Sequence, residues 1–121
     1  MARERIPLGD DLLATTLHAH HLPPRRGRDN VYGVWAVYTI YESQRRLKVP
    51  LYVGVTNNVS ERLHQHRRDK VWWPLAGDIS VHGYFADRSD AYEAEEQQIY
   101  ALQPLLNVVA NQHTEERSLD G

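Results

Sequence analysis

The chain has 121 residues, no cysteine and a formal net charge of −2. This length suits one domain with a modest core, and the lack of cysteine excludes disulfides, thiolate metal sites and a cysteine nucleophile. No apolar run has the length of a signal peptide core or a membrane span, so we expect a soluble, cytoplasmic protein.

The charge is unevenly distributed along the chain. Residues 1–86 hold twelve Lys/Arg and eight Asp/Glu, whereas residues 87–121 hold two and eight. A basic segment can serve phosphate binding, but ordinary solvated surface also explains the charge. Charge alone favours the solvated surface.

The first thirty residues are predicted to form a helix followed by an arm. Asp10 or Asp11 can cap the helix, and leucines follow at helical offsets. Residues 21–30 contain two prolines, a glycine and three arginines, which is typical of a surface loop. Three histidines lie here, but no matching ligand spacing follows them, so no metal site is predicted.

Two strands come next. Residues 33–42 are β-branched or aromatic on both alternating faces, which predicts a central strand covered on both sides. The polar segment 43–48 is too short for a crossover helix, so residues 50–55 should form the antiparallel neighbour in a long hairpin.

The second half of the chain predicts two helices around one strand. A helix capped by Asn58, with Glu61 in the reciprocal position, should run to about Asp69. Residues 79–86 fit a strand. A last helix, capped by Asp87 or Ser89, should end before Pro104, which a helix interior does not tolerate.

The resulting order is β-β-α-β-α. It predicts a mixed α/β (α+β) domain with a three-stranded antiparallel sheet flanked by helices, plus the extra N-terminal helix and arm.

Glu95 is the most informative acidic residue. On a helical wheel it falls between Tyr92 and Ile99 on the inward stripe of the last helix, whereas Glu93 and Glu96 do not. A buried carboxylate needs a metal ion or a basic partner. A plain buried ion pair, or an edge position that reaches water, is the alternative.

Arg62 and His66 are one helical turn apart and should project together, beside the buried stripe rather than within it. An arginine fork suits a phosphate, and a histidine can move a proton, although a solvated helix face is the commoner fate of such a pair. Tyr38 and Tyr52 lie on predicted strands and fit either packing or a site. Gly54 on the second strand indicates close approach of a ligand or backbone, or a bulge.

These residues fall into one ordered register. The arginine follows the glycine by eight positions, and an asparagine follows the glutamate by twelve. Over residues 33–109 this set resembles the GIY-YIG nuclease superfamily. Ala36-Val37-Tyr38 stands where the family has Gly-Ile-Tyr, with Gly33-Val34-Trp35 as a less well spaced candidate upstream. The register comprises Tyr38, Tyr52, Gly54, Arg62, His66, Glu95 and Asn107.

The resemblance implies metal-dependent hydrolysis of phosphodiester bonds in nucleic acid, DNA rather than RNA, with structure-directed or weakly sequence-specific cutting. It implies one Mg²⁺ or Mn²⁺ ion held by Glu95 and water. Arg62 then holds the scissile phosphate, and Tyr38 or Tyr52 orients or deprotonates the attacking water. His66 is the alternative base, and Asn107 orients site groups. The expected substrate-binding residues are Gly54, Thr56, Arg67 and Arg68. The basic hairpin tip, Arg45, Arg46 and Lys48, is the expected extra contact with phosphates, and simple solubilising charge is the alternative.

The resemblance also sets the expected boundaries: an N-terminal helix and arm at 1–30, the nuclease domain at 31–110 and a polar tail at 111–121. Specificity should come from loops, the N-terminal segment, a homo-oligomer or a protein partner, with no membrane involved. Two alternatives stay open. One is a catalytically silent module that binds nucleic acid or protein; the other is a structural or interaction domain.

Overall fold

The computed structural model describes residues 5–20, 35–43 and 49–107, with the side chains of 17–20 left aside. Four strands, three α-helices and one 3₁₀ turn make up this part of the chain. In chain order they are β1 (Ile6–Pro7), α1 (Leu12–His20), β2 (Trp35–Glu42), β3 (Pro50–Thr56), α2 (Val59–Asp69), the 3₁₀ turn Trp73–Leu75, β4 (Ala76–Phe85) and α3 (Arg88–Leu102).

The strands form one antiparallel sheet in the order β1-β4-β2-β3. The long strand β2 therefore lies between β4 and β3, and β3 is an edge strand. Almost every residue of β2 is buried, as expected for a strand with helices on both of its faces. This places the side chains of β2 at the centre of the molecule.

The mixed α/β class with an antiparallel sheet and helices is confirmed. The sheet has four strands rather than the predicted three, so the three-stranded β-β-α-β-α arrangement is not confirmed. Ile6 and Pro7 form an additional strand, in which Ile6 lies opposite Ile79 of β4. This pairing covers an edge of β4 that would otherwise expose unpaired backbone groups. Two residues are too few for a period-two pattern to be detected in the sequence.

The helices begin where short polar side chains accept hydrogen bonds from backbone N–H groups. Asp11 Oδ1 accepts from the backbone of Leu13 at the start of α1. Asn58 Oδ1 accepts from Glu61 at the start of α2, and Asp87 Oδ1 accepts at the start of α3. Each cap satisfies donors that have no partner within the helix. Helix α3 ends at Gln103, which takes the left-handed conformation with φ 50°.

Two hydrophobic clusters form, one on each face of the sheet. Helices α1 and α2 cover the first face, where Tyr38 and Ile40 of β2 pack against Leu63 of α2. Helix α3 covers the second face, where Ile99 packs against Val37. Alternating residues of β2 therefore contribute to opposite cores. None of the helices in the described ranges combines the length and apolar character that crossing a membrane needs.

Residues near the N-terminus belong to the first core. Ile6 and Leu12, which the sequence placed in an appended helix and arm, are buried in the same cluster as Tyr38. The arm at 21–30 and the tail at 111–121 lie outside the described residues. The segment from Ile6 through α1 is consequently part of the packing that supports β2.

Candidate active site

A cleft of about 190 Å³ opens on the face of the sheet that α2 covers. Tyr52 contributes from β3, and all the other lining residues come from α2 or its C-cap. Their offsets from Arg62 are three, four, seven and eight positions, so they share one side of the helix. The lining residues are Tyr52, Arg62, Gln65, His66, Asp69 and Lys70.

Tyr38 and His66 form a buried pair beside this cleft. The Tyr38 hydroxyl and His66 Nε2 share a hydrogen bond of 2.8 Å. Tyr38 is 0% exposed and His66 is 2% exposed. The sequence predicted His66 beside the buried stripe of α2, and this is wrong. The rings of Tyr52 and Trp72 cover the imidazole, with centroids 5.1 and 5.3 Å from it.

The environment keeps both members of the pair neutral. Burial, followed by the positive charges of Arg62 and Lys70, lowers the pKa of His66 from 6.5 to about 3. Burial also raises the pKa of Tyr38 well above 10, with Tyr52 adding to the rise, while Arg62 acts in the opposite direction. At neutral pH the pair is therefore a phenol hydrogen-bonded to an uncharged imidazole.

The pKa of His66 predicts a specific loss of stability in acid. The unfolded chain binds a proton at His66 near pH 6.5, whereas the folded protein does so only near pH 3. Stability is therefore fully present above pH 6.5 and falls as the pH drops toward 3, by up to about 1.4 kcal/mol per pH unit. Denaturant titrations between pH 5.5 and 4.5 measure how the free energy of unfolding changes with pH. In His66→Gln this change per pH unit should be smaller than in wild type by about the same amount.

Replacing the exposed His64 in the same way serves as the matched control for that experiment. His64→Gln should keep the wild-type slope, because its imidazole is not buried by folding. Parallel slopes for wild type and His66→Gln would show that His66 is not held neutral by its surroundings.

Gly54 makes room for the rings of the two tyrosines, and its role toward a substrate stays a prediction. A Cβ atom added at Gly54 would lie 2.6 Å from the Tyr38 hydroxyl oxygen and 2.8 Å from Cε2 of Tyr52. Gly54 lies directly opposite Tyr38 in the β2–β3 ladder, so the phenol ring extends across it. The glycine allows Tyr38 to reach His66.

We expect Gly54→Ala to displace both rings. Overpacking of this kind costs about 1–3 kcal/mol of unfolding free energy, and it should also separate Tyr38 from His66. Gly9→Ala is the matched control, because its new Cβ would meet only Thr15 Oγ1 at 3.6 Å. Urea denaturation compares the three proteins; equal stability of Gly54→Ala and Gly9→Ala would mean that the rings move at no cost.

Glu95 belongs to α3, the helix that covers the second face of the sheet. As the helical wheel predicts, it faces inward on α3, between Ala91 and Ile99, and is 3% exposed. Among the described residues, those that line the cleft do not include Glu95. Its negative charge nevertheless contributes to the raised pKa of Tyr38. Glu95 is therefore within electrostatic reach of Tyr38.

A metal site at Glu95 would have few protein ligands. Within the part of the chain that the structure describes, no group of three or more His, Cys, Asp or Glu side chains could hold a metal ion. Mg²⁺ can bind with so few protein ligands, since it keeps several waters and is often bound by one or two carboxylates and substrate phosphate. The donor chemistry of Glu95 fits such an ion and does not fit one that needs an all-protein cage.

Asn107 supports β3 from its free edge. Its Oδ1 accepts a hydrogen bond of 2.5 Å from the backbone N–H of Val53, and its Nδ2 donates to the Val53 carbonyl at 3.0 Å. Both groups belong to an edge strand and point away from β2, so Asn107 acts as a substitute for a neighbouring strand. It fixes the strand segment between Tyr52 and Gly54.

Three residues assigned to substrate binding have structural partners here. The Thr56 hydroxyl exchanges hydrogen bonds with the backbone of Asn58 before α2. Arg67 donates to the backbone carbonyl of Asp10 at 3.1 Å, and Arg68 pairs with Asp69 at 3.1 Å. Their roles toward a substrate stay predictions. Arg45, Arg46 and Lys48 lie outside the described residues.

The sequence did not single out Gln65, Asp69, Lys70 or Trp72. The first three were detectable, because their spacing from Arg62 repeats the helical period. Trp72 follows the end of α2, and its return over Tyr52 and His66 depends on the turn after the helix. No local pattern predicts that contact.

Comparisons of the chain with protein-family models, with curated proteins and with solved structures find no match.

Proposed function

We propose that the protein is a metal-dependent endonuclease that hydrolyses phosphodiester bonds in nucleic acid, DNA rather than RNA. The observation that carries this proposal is the neutral Tyr38–His66 pair, joined at 2.8 Å, whose histidine lines the same open cleft as Arg62. The resemblance of the ordered residues to GIY-YIG nucleases supports the same chemistry. A GIY-YIG module that binds nucleic acid or a protein without cutting is the alternative function.

Arg62 and Lys70 provide the positive charge that a phosphodiester needs. Both line the cleft, and the one acidic side chain among the lining residues, Asp69, is paired with Arg68. A guanidinium offers two parallel donors that match two phosphate oxygens. Arg62 is therefore the proposed clamp on the scissile phosphate, where it can follow the redistribution of negative charge.

The Tyr38–His66 pair provides a route for the proton of the attacking water. Tyr38 alone is a poor base, because burial raises its pKa and so keeps the phenol protonated. In the proposed step a water enters from the cleft, which His66 lines, and reaches the buried Tyr38 beside it. The Tyr38 oxygen takes the proton of this water while the phenol proton passes to Nε2 of His66. The phenol thus stays neutral, and the charge moves to the imidazole. The hydroxide oxygen forms the new bond to phosphorus as the leaving oxygen departs.

Substrate binding should make His66 a stronger base. Part of the depression of its pKa comes from the charge of Arg62. A phosphate bound to Arg62 offsets that charge and favours the protonated imidazole. His66 therefore accepts a proton more readily when the site holds its substrate.

Glu95 is the proposed ligand of a hydrated Mg²⁺ or Mn²⁺ ion. When bound, the ion supplies positive charge that offsets the charge developing on the phosphoryl and leaving oxygens. Glu95 itself is buried, and its carboxylate is held by a helix rather than a loop. Such a position fixes a ligand more firmly than an exposed one.

Nicking of supercoiled plasmid tests this function. The purified protein should relax the plasmid with Mg²⁺ or Mn²⁺ and should leave it intact with chelator. A labelled RNA of similar length, in the same buffers, compares the two nucleic acids. Binding without cleavage in every metal would contradict the endonuclease and support the silent module.

A further inference from the structure

Aromatic rings continue from the cleft onto the segment that follows α2. Tyr52, which lines the cleft, stacks on Trp72 with centroids 5.8 Å apart and planes 26° from parallel. Trp72 in turn contacts Trp73, with centroids 6.2 Å apart. We name these three rings the aromatic ladder. It connects the proposed phosphate clamp to the turn at residues 71–75.

That turn exposes apolar surface beside the basic residues. Val71 is 95% exposed and Leu75 is 51% exposed, while the two indoles between them are partly buried. Exposed apolar side chains grouped in one short segment mark a binding surface more often than single ones do. Lys70, which lines the cleft, immediately precedes Val71.

We propose that the aromatic ladder binds an unpaired nucleobase next to the phosphate held by Arg62, so that the preferred substrate carries a single-stranded tail, flap or gap. Every base has a flat face that stacks on an indole, irrespective of sequence. Arg62 and Lys70 beside the rings favour a polyanion over an apolar peptide. The inference rests on the proposed function for its phosphate, and it adds the class of nucleic acid.

An intact duplex does not supply such a base, because its bases are stacked on one another and only their edges are accessible. A tail or a gap offers a base without the cost of unstacking. Recognition by stacking also carries little sequence information, because every base offers a flat face.

Binding measured in chelator tests the ladder independently of cleavage. Three labelled DNAs of equal charge are compared by fluorescence anisotropy: a blunt duplex, a duplex with a single-stranded tail, and one whose tail is abasic. The tailed duplex should bind about tenfold more tightly than the other two, since one stacked base contributes about that factor. Equal affinity for the normal and the abasic tail would overturn the proposal, because phosphate charge alone would then explain binding.

Tryptophan variants locate the effect. Trp72→Leu and Trp73→Leu keep an apolar side chain against the core but remove the flat ring, so each should lose the tenfold preference. Trp35→Leu, which alters the third tryptophan on the face that α3 covers, should retain it. If all three variants keep the preference, the base does not bind at the ladder. A preference for the tailed duplex without any cleavage in Mg²⁺ would contradict the nuclease but support base binding at the aromatic ladder. Cleavage without a preference for the tail would support the nuclease and contradict base binding at the aromatic ladder.

Discussion

Glu95→Gln should leave a folded protein that binds nucleic acid normally and cleaves it at least about a thousandfold more slowly. Glutamine keeps the size of the side chain but removes the negative charge that the proposed metal ion requires. The loss should match or exceed that of a well-placed oxyanion donor. Single-turnover cleavage and anisotropy, measured on the same preparation, separate the chemical step from binding.

The neighbouring Glu96 provides the matched control. It differs from Glu95 by one position on α3 and is exposed, whereas Glu95 is 3% exposed. Glu96→Gln should therefore cleave within about twofold of wild type, as expected for a surface substitution away from a site. Equal losses in the two variants would show that the general charge of α3 matters, and not one carboxylate.

Arg62→Lys should bind nucleic acid but cleave it roughly two to three powers of ten more slowly. Lysine preserves the positive charge and loses the planar, two-point geometry that can follow charge on the phosphate. Because the interaction is strongest in the transition state, the rate constant should fall more than the affinity. Single-turnover rates at saturating enzyme, with melting temperatures beside them, measure this difference.

Arg88→Lys is the corresponding control. Arg88 is an exposed arginine on α3 that stacks on Trp35 and donates to the Tyr92 hydroxyl. Replacing it can alter local packing, yet its cleavage rate should match wild type. A folded Arg62→Lys variant that cuts at the wild-type rate would exclude Arg62 as a catalytic residue.

Most of the fold was accessible from local signals. The strand at 35–42 followed from apolar residues on both faces, and the caps Asn58 and Asp87 marked the starts of two helices. The strand β1 was not accessible, because it consists of two residues whose conformation comes from pairing with β4. Pairing partners distant in sequence leave no local periodicity.

Local signals likewise predicted part of the candidate site and missed another part. Helical spacing correctly placed Arg62 and His66 on one side of α2, since the geometry of a helix is local. It did not predict that His66 is buried, because the covering rings come from β3 and from Trp72 beyond the helix end. Exposure of a helical residue depends on what packs over it.

The position of Glu95 relative to the sheet could not be predicted from the sequence. The wheel identified its inward direction on α3, but not which face of the sheet the helix covers. The structure places α3 over Val37 and Val53, opposite the face that contains Tyr38. The link between the acid and the site is electrostatic, because the charge of Glu95 contributes to the raised pKa of Tyr38. The position of Glu95 relative to Tyr38 depends on how α3 packs on the sheet, which is a tertiary contact.

A divalent ion held by Glu95 close to the Tyr38–His66 pair is the central requirement of the proposed mechanism. Titration with paramagnetic Mn²⁺ tests it directly, because the ion broadens the NMR signals of nearby protons. In wild type the ring signals of Tyr38 and His66 should broaden at low Mn²⁺, and in Glu95→Gln they should stay sharp. Sharp signals in wild type at stoichiometric Mn²⁺, or equal broadening in both proteins, would contradict a metal site at Glu95.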